Sequence, residues 1–530
     1  MTVAPEATTQ RPLPDRVDVL VVGAGLSGIG AAHRIREANP DVDLAILEAR
    51  EATGGTWDLF RYPGVRSDSD MFTLSFPFRP WEGRKAIADG GDILDYIRET
   101  ARATGLDRLI HTGCRAVSAS WSTDEQEWTL QVETPGGRRE IRAGFVHLGS
   151  GYYDYDKSHD PGFVGVEDFA GRVIHPQFWP EDLDHAGKRV VVIGSGATAV
   201  TVVPAMAETA KRVTMLQRTP SYVFGLPGVD PLVQLLRRRL SPQTVQSIAR
   251  VKNLGMQYFL YELSRFRPKA ANAIVLLELR RHLPKEVVDE HFTPPYNVWD
   301  QRLCAVPDGD LYASIRRGRA DVVTGHVDRF VPEGVRLTDG RVIEADIIVT
   351  ATGLRLQLLG GMDYTVDGEP VAMDRAFAYR GLMLAGVPNV TMTVGYVNAS
   401  WTLRADLVST YVARLVAHMR DRGLGVAVPV APDGMTAGPI MDLTAGYIQR
   451  VIGQFPKVGD RAPWTMPQNY VKDKIAFGRA DVTADMHFIP VGAKGATLPR
   501  GAAAPASLDL PGTSSNTDDS VGDLALEDAR

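Results

Sequence analysis

The sequence predicts an α/β protein made of two strand–turn–helix units, with a helical segment inserted into the second. Three observations carry that expectation. Glycine-rich turns stand where an apolar run ends and a helical pattern begins, once at Gly23 and again at Gly194. Residues 229–295 show helical spacing and lack the alternation of strands. The composition, 44% hydrophobic and 23% charged, is that of a soluble globular chain with a large core.

The elements follow in order. Val17–Val22 (VDVLVV) reads as a short buried strand, and Leu26–Ala38 carries apolar residues at helical spacing behind it. Val42–Leu47 is the next strand. Ala116–Ser122, Trp128–Glu133 and Arg139–Leu148 alternate as a small antiparallel sheet does. The pattern restarts at Arg189 with a strand, a second glycine turn, a helix and a strand at Arg212–Leu216. Strands return at Val322–Phe330 and Ile343–Thr350. From Gly495 onward Ala, Pro, Ser, Gly and Asp dominate without an apolar period, so 496–530 is expected to be a disordered tail.

Charge and cysteine usage exclude several classes. Lysine plus arginine total 58 against 64 acids, a net charge of −6 that offers no general pull toward nucleic acid or anionic membrane. Cys114 and Cys304 are the two cysteines. They exclude a disulfide scaffold, a cysteine-rich zinc site and a CxxC redox pair, and they fit a reducing, cytoplasmic location. Met1 to Asp18 has no apolar leader region, and no later run approaches the ~18 apolar residues of a membrane span. The histidines show no metal-ligand spacing, so no metal site is expected.

The glycine turns carry the chemistry. Gly23-Ala24-Gly25-Leu26-Ser27-Gly28 follows a strand and opens a helix, and Glu48 ends the next strand 20 residues after Gly28. Glycines at Gly23, Gly25 and Gly28 allow a tight turn, close approach of a pyrophosphate and close helix–strand packing. Glu48 can accept from ribose hydroxyls. The second turn is Gly194-Ser195-Gly196-Ala197-Thr198-Ala199, with Gly194, Gly196 and Thr198 as candidate contacts. Its next strand ends in Gln217-Arg218-Thr219 rather than in an acid. A planar guanidinium pairs with a 2′-phosphate where an acid repels it, so the second unit should prefer NADPH, with Arg218 and Thr219 as its readers. Two bound dinucleotides mean electrons passing between cofactors, most often hydride from NADPH to a flavin.

Three further motifs carry a resemblance. Gly54-Gly55-Thr56-Trp57 is followed by Arg61-Tyr62-Pro63-Gly64-Val65-Arg66-Ser67-Asp68. Residues Phe169-Ala170-Gly171-Arg172-Val173-Ile174-His175-Pro176-Gln177-Phe178-Trp179-Pro180 match FxGxxxHxxxWP, and Ala351-Thr352-Gly353 closes an apolar strand. Together these resemble the Baeyer–Villiger monooxygenases, two-dinucleotide-binding-domain flavoproteins, from about Val17 to about Val491. Trp179 favours that family over the related flavin-containing monooxygenases, whose fingerprint usually ends in Tyr or Phe. Trp299-Asp300-Gln301-Arg302-Leu303-Cys304, Pro307-Asp308-Gly309-Asp310-Leu311 and Gly395-Tyr396-Val397-Asn398-Ala399-Ser400-Trp401 look like the ethionamide-activating branch.

The resemblance implies two Rossmann-like domains. A discontinuous FAD-binding domain would span 10–150 and 352–495. An NADPH-binding domain would span 160–228 and 296–351, with 229–295 as the helical insertion. It implies Arg302 as the catalytic arginine and Asp68 as its partner, with Thr56 and Trp57 among the FAD contacts. His175 and Trp179 would couple domain movement to catalysis, and Trp57 and Trp401 would wall the active site. The implied reaction inserts one oxygen atom of O2 beside a ketone carbonyl, with sulfur oxygenation as a second activity. The residue types suit that chemistry: a reactive oxygen anion needs shielding from water and a cation that stays protonated, and arginine keeps its proton where a buried lysine can lose it. Two alternatives use the same folds. One is a flavin-containing monooxygenase acting mainly on nitrogen or sulfur. The other is a pyridine-nucleotide flavoprotein reductase, for which the sequence lacks a cysteine pair.

Overall fold

The computed structural model of the chain describes residues 12–441 and 446–506. The first eleven residues, part of the stretch read as lacking a leader, and 507–530 of the expected tail lie outside the described residues.

The first unit is one nine-stranded sheet. At its centre Arg16–Val22 lies parallel to Leu44–Leu47 on one side and to Gly137–Leu148 on the other. Where the three run side by side, at Val19–Val22, Leu44–Leu47 and Phe145–Leu148, they are buried because both faces are covered, as parallel strands require. Leu26–Ala38 and the long helix Trp401–Asp421 pack together over one face. The antiparallel run of Arg115–Ser122, Glu127–Thr134 and Gly137–Leu148 is no separate small sheet. Gly137–Leu148 is long enough to pair antiparallel with its hairpin partner and parallel with Arg16–Val22.

The second unit is a five-stranded parallel sheet in the order Ala320–Thr324, Arg212–Gln217, Arg189–Ile193, Ile347–Thr350, Arg172–Ile174. Ala197–Met206 is its helix behind the second glycine turn. Between its strands come the helices Pro231–Leu236, Pro242–Phe266, Pro268–Arg280 and Lys285–His291. Each of the first three opens with proline at its first turn, where a missing N–H costs nothing.

Three expectations need correction. The run read as one strand at Val322–Phe330 is two, Ala320–Thr324 and Val327–Val331, which join different sheets. Ile343–Thr350 likewise divides into Val342–Glu344 and Ile347–Thr350. Between them Asp346 turns out to accept from the Arg189 backbone N–H at 2.7 Å and its guanidinium at 2.7 Å. The tail expected to be disordered from 496 is laid over the first unit as far as 506. There Ala502 N–H donates to Ala431 O, Ala504 N–H donates to Arg375 O, and Ala504 is buried.

Candidate active site

The two glycine turns are built alike. Gly23 N–H donates to Leu47 O at 2.7 Å, and Gly194 N–H donates to Leu216 O at 2.8 Å. Each turn is thereby tied to the end of the next strand of its own sheet. Gly23 has φ +102°, and a Cβ there would meet Gly149 O at 2.7 Å. Any larger residue would push the turn off the sheet. Gly28 does not face the cavity. It packs under Gly23 and Gly149, which is the helix–strand packing expected of the third glycine.

In front of the first turn lies a cavity of about 350 Å³. Gly23, Gly25, Glu48, Thr56, Trp57, Asp68, Thr198 and Arg302 all line it. Glu48 is buried, and its oxygens accept from Ala24 N–H at 2.9 Å and Arg50 N–H at 3.0 Å. Burial raises its pKa, and those two N–H donors oppose the rise. A Cβ on Gly55 would meet Gly25 Cα at 3.2 Å, so the two glycine segments touch backbone to backbone. Beside them Thr56 Oγ1 and Tyr155 OH are hydrogen-bonded at 3.1 Å.

Asp68 and Arg302 meet in this cavity. Arg302 Nε lies 3.8 Å from Asp68 Oδ2, with Asp68 largely buried and Arg302 39% exposed. Burial raises the Asp68 pKa, and the Arg302 and Arg66 guanidiniums hold it down against that rise. Arg66 is anchored in turn by an ion pair with Asp310. The turn that carries Arg302 is held from the inserted helices. Asp300 accepts from Asn297 N–H at 2.9 Å and pairs with Arg265 at 3.2 Å, while Val298 N–H donates to Asn272 Oδ1 at 3.0 Å. Cys304, two residues on, is buried and free, and burial pushes its thiol up to about 12.

Aromatic rings close the far wall. Trp401 stacks on Tyr152 with ring centroids 4.8 Å apart and donates its Nε1–H to Ser27 Oγ at 2.7 Å. Both tryptophans expected as walls, Trp57 and Trp401, line the cavity.

Of the second turn, Thr198 alone among the expected contacts reaches this cavity, where it hydrogen-bonds the Tyr62 hydroxyl. Gly194, Gly196, Arg218 and Thr219 lie outside it, just past the C-terminal ends of the second unit's strands Arg189–Ile193 and Arg212–Gln217. There Ser195 Oγ donates to Thr219 O at 3.2 Å, which draws the end of the second strand against the turn. Arg218 beside it is exposed.

His175 does not line the cavity. Its Nδ1 accepts from Gln177 N–H at 3.2 Å and its Nε2 faces Gly353 O at 3.3 Å, so the neutral ring donates from Nε2. Burial lowers its pKa. The fingerprint thus ties the edge strand Arg172–Ile174 to the Ala351-Thr352-Gly353 segment.

Several lining residues escape a reading of the sequence. Tyr62 and Arg66 stand inside the motif that ends in Asp68. Gly149 follows an apolar strand as Gly23 does, and that position is the signal which marks it. Tyr155 carries no sequence signal. Among the described residues no cluster of histidine, cysteine and acids can hold a metal ion, and no helix is long and apolar enough to cross a membrane.

Comparison with known proteins places this geometry. Residues 69–241 match the Flavin-binding monooxygenase-like family and residues 21–82 the NAD(P)-binding Rossmann-like domain. A crystal structure of OTEMO complexed with FAD and NADP superposes with a TM-score of 0.69 at 22% identity, covering 89% of this chain and 99% of that one, a likeness of fold. The FAD-containing monooxygenase EthA of Mycobacterium tuberculosis (strain ATCC 25618 / H37Rv) is 49% identical over 464 residues, 87% of this chain and 95% of the relative. EthA of Mycolicibacterium smegmatis (strain ATCC 700084 / mc(2)155) is 46% identical over 481 residues, 90% of this chain and 98% of the relative. At that identity over nearly their whole length, the chain belongs to the FAD-containing monooxygenase family.

Proposed function

We propose that the protein is an NADPH- and FAD-dependent, cytoplasmic monooxygenase that inserts one oxygen atom of O2 beside a ketone carbonyl, giving an ester or lactone. Oxygenation of thioether or thioamide sulfur is its second activity. The observation that carries the reading is the Asp68–Arg302 pair in the wall of the cavity that the first glycine turn opens.

FAD, when bound and reduced by NADPH, supplies the oxygen activation; the chain supplies everything around it. The residues fit an extended dinucleotide. Gly23 and Gly25 present backbone without side chains, the Gly25–Gly55 approach keeps the floor free of bulk, and Glu48 faces the cavity as an acceptor for ribose hydroxyls. Thr56 and Trp57 complete that floor. Gly194, Gly196 and Thr198 form the NADPH turn, and Arg218 with Thr219 reads the 2′-phosphate.

Arg302 holds a permanent positive charge where negative charge develops on oxygen, and Asp68 orients it. Trp57, Tyr152 and Trp401 exclude water from that point. His175 ties the second unit to the segment at Gly353, and together with Trp179 it transmits the relative motion of the two units.

The test is a product screen. Linear, cyclic and aryl ketones and thioethers are supplied with NADPH, and O2 uptake is compared with product formed. Ester or lactone in proportion to NADPH is the expected result. Oxygenation of sulfur or nitrogen alone would move the protein to the alternative activity, and NADPH oxidation without O2 uptake would make it a reductase.

A further inference from the structure

The inserted helices differ from the rest of the surface in two independent ways. Of the eighteen large apolar side chains exposed among the described residues, eleven lie between Leu232 and Leu277. They are ordered on helical faces. On Pro242–Phe266, Ile248, Val251, Phe259 and Phe266 follow one another at helical spacing, with Gly255 and Glu262 completing the row and Tyr258 beside it. Ile274 and Leu277 are exposed on Pro268–Arg280, with Arg281 continuing their row. The opposite faces are spent on the fold: Val245, Gln246 and Ala249 are buried, as are Ala271, Val275 and Leu279. Arg250 donates from there to Phe72 O at 2.8 Å. The outward stripe has no such use.

The second difference is charge. Residues 230–281 hold ten arginines and lysines against three acids, a local net charge of +7 in a chain whose total is −6. Lys252, Arg265 and Arg280 are paired with Asp230, Asp300 and Asp289. Arg238, Arg239, Arg267, Lys269 and Arg281 are exposed around the apolar rows.

We propose that this face docks on the surface of a membrane that carries anionic lipids. Apolar side chains ringed by cations match an acyl layer edged by phosphate, and the charge of the whole chain conceals the match. A nucleic acid answers the cations and leaves the apolar rows wet. A second copy docked through the same face sets +7 against +7. No described helix crosses a bilayer, so the helices lie on it. The same helices hold the Arg302 turn through Arg265 and Asn272, so the docked face backs directly onto the cavity wall.

The test is co-sedimentation of the full, flavin-loaded chain with phosphatidylcholine vesicles, with and without phosphatidylglycerol. Binding is expected only with the anionic lipid and should weaken with salt. Removal of one exposed cation should weaken it by roughly fivefold. Arg267→Glu with Lys269→Glu, and separately Val251→Asp with Phe259→Asp, should each abolish it while leaving NADPH oxidation unchanged. These positions are exposed, so folding is preserved and verified by flavin content. Absence of sedimentation with anionic vesicles overturns the proposal, and so does equal binding by both double variants. Light scattering that shows self-association lost in Val251→Asp with Phe259→Asp, without vesicle binding, assigns the face to a second copy. Retention of nucleic acid in place of vesicles assigns it to a polyanion.

Discussion

Asp68 Oδ2 stands 3.8 Å from Arg302 Nε, and Arg66, the second guanidinium that acts on Asp68, is held by Asp310. One largely buried carboxylate therefore serves two guanidiniums, one anchored and one 39% exposed. Arg66 opposes the burial of Asp68 as Arg302 does, so Asp68 has two cationic neighbours. At that distance Arg302 lines the cavity while Asp68 stays largely buried behind it.

Replacement of Arg302 by alanine should leave folding and FAD content intact and remove ketone oxygenation. A preorganised cation lost from the point where charge develops costs on the order of 10²–10³ in turnover. The loss should fall on kcat, with stopped-flow absorbance separating slowed flavin reduction from a later failure. Arg302→Lys is the stricter test, since it keeps a charge and loses the planar fork. A fully active Arg302→Ala enzyme would assign the role elsewhere and leave the cofactor assignments standing.

Arg218→Ala should raise the NADPH KM and narrow the preference over NADH. One charge-assisted contact to phosphate contributes about 1.5–3 kcal/mol, or roughly 10- to 150-fold. Arg218 is exposed, so its removal should not change the melting temperature. Steady-state kinetics with both coenzymes decide the matter, and equal use of NADPH and NADH by the unaltered enzyme would remove the argument.

The purified protein should be yellow and release FAD on denaturation. Glu48→Ala should lose flavin on gel filtration, because it removes both the ribose acceptor and the clamp on Ala24 N–H. Flavin-to-protein absorbance ratios measure this directly. Release of FMN would contradict the assignment.

Much of this was legible in the residues, and the gaps have physical causes. Leu26–Ala38 stands where its apolar spacing and the glycine before it place it. The glycine turns were readable because at Gly23, Gly28 and Gly194 a Cβ would strike backbone. The strand divisions at 325–326 and 345–346 were not, since apolar alternation runs on while the chain changes sheets. Tyr155 reaches Thr56 from 99 residues away, a contact that only the assembled fold brings about. Ala504 is small and unpatterned, and its burial depends on the backbone of Arg375. The charge of the insertion was diluted by averaging over 530 residues.

His147 should make the fold acid-sensitive. It is buried in the central strand Gly137–Leu148, with Nδ1 2.9 Å from Thr391 Oγ1 and Nε2 3.2 Å from Thr393 Oγ1. Burial lowers its pKa from 6.5 to about 4. Between those values the unfolded chain binds a proton that the folded chain refuses, so stability falls as the pH drops through this window. The contribution is fully present above the unfolded value and is lost as the pH approaches the folded one. It amounts to about 2 kcal/mol between pH ~7 and pH ~5. Urea denaturation at the two pH values measures it. His147→Leu should be less stable at neutral pH, having lost two hydroxyl partners, yet its dependence on pH should be flatter by that amount. An unchanged dependence in His147→Leu would mean that His147 takes up its proton in the folded protein as readily as in the unfolded chain.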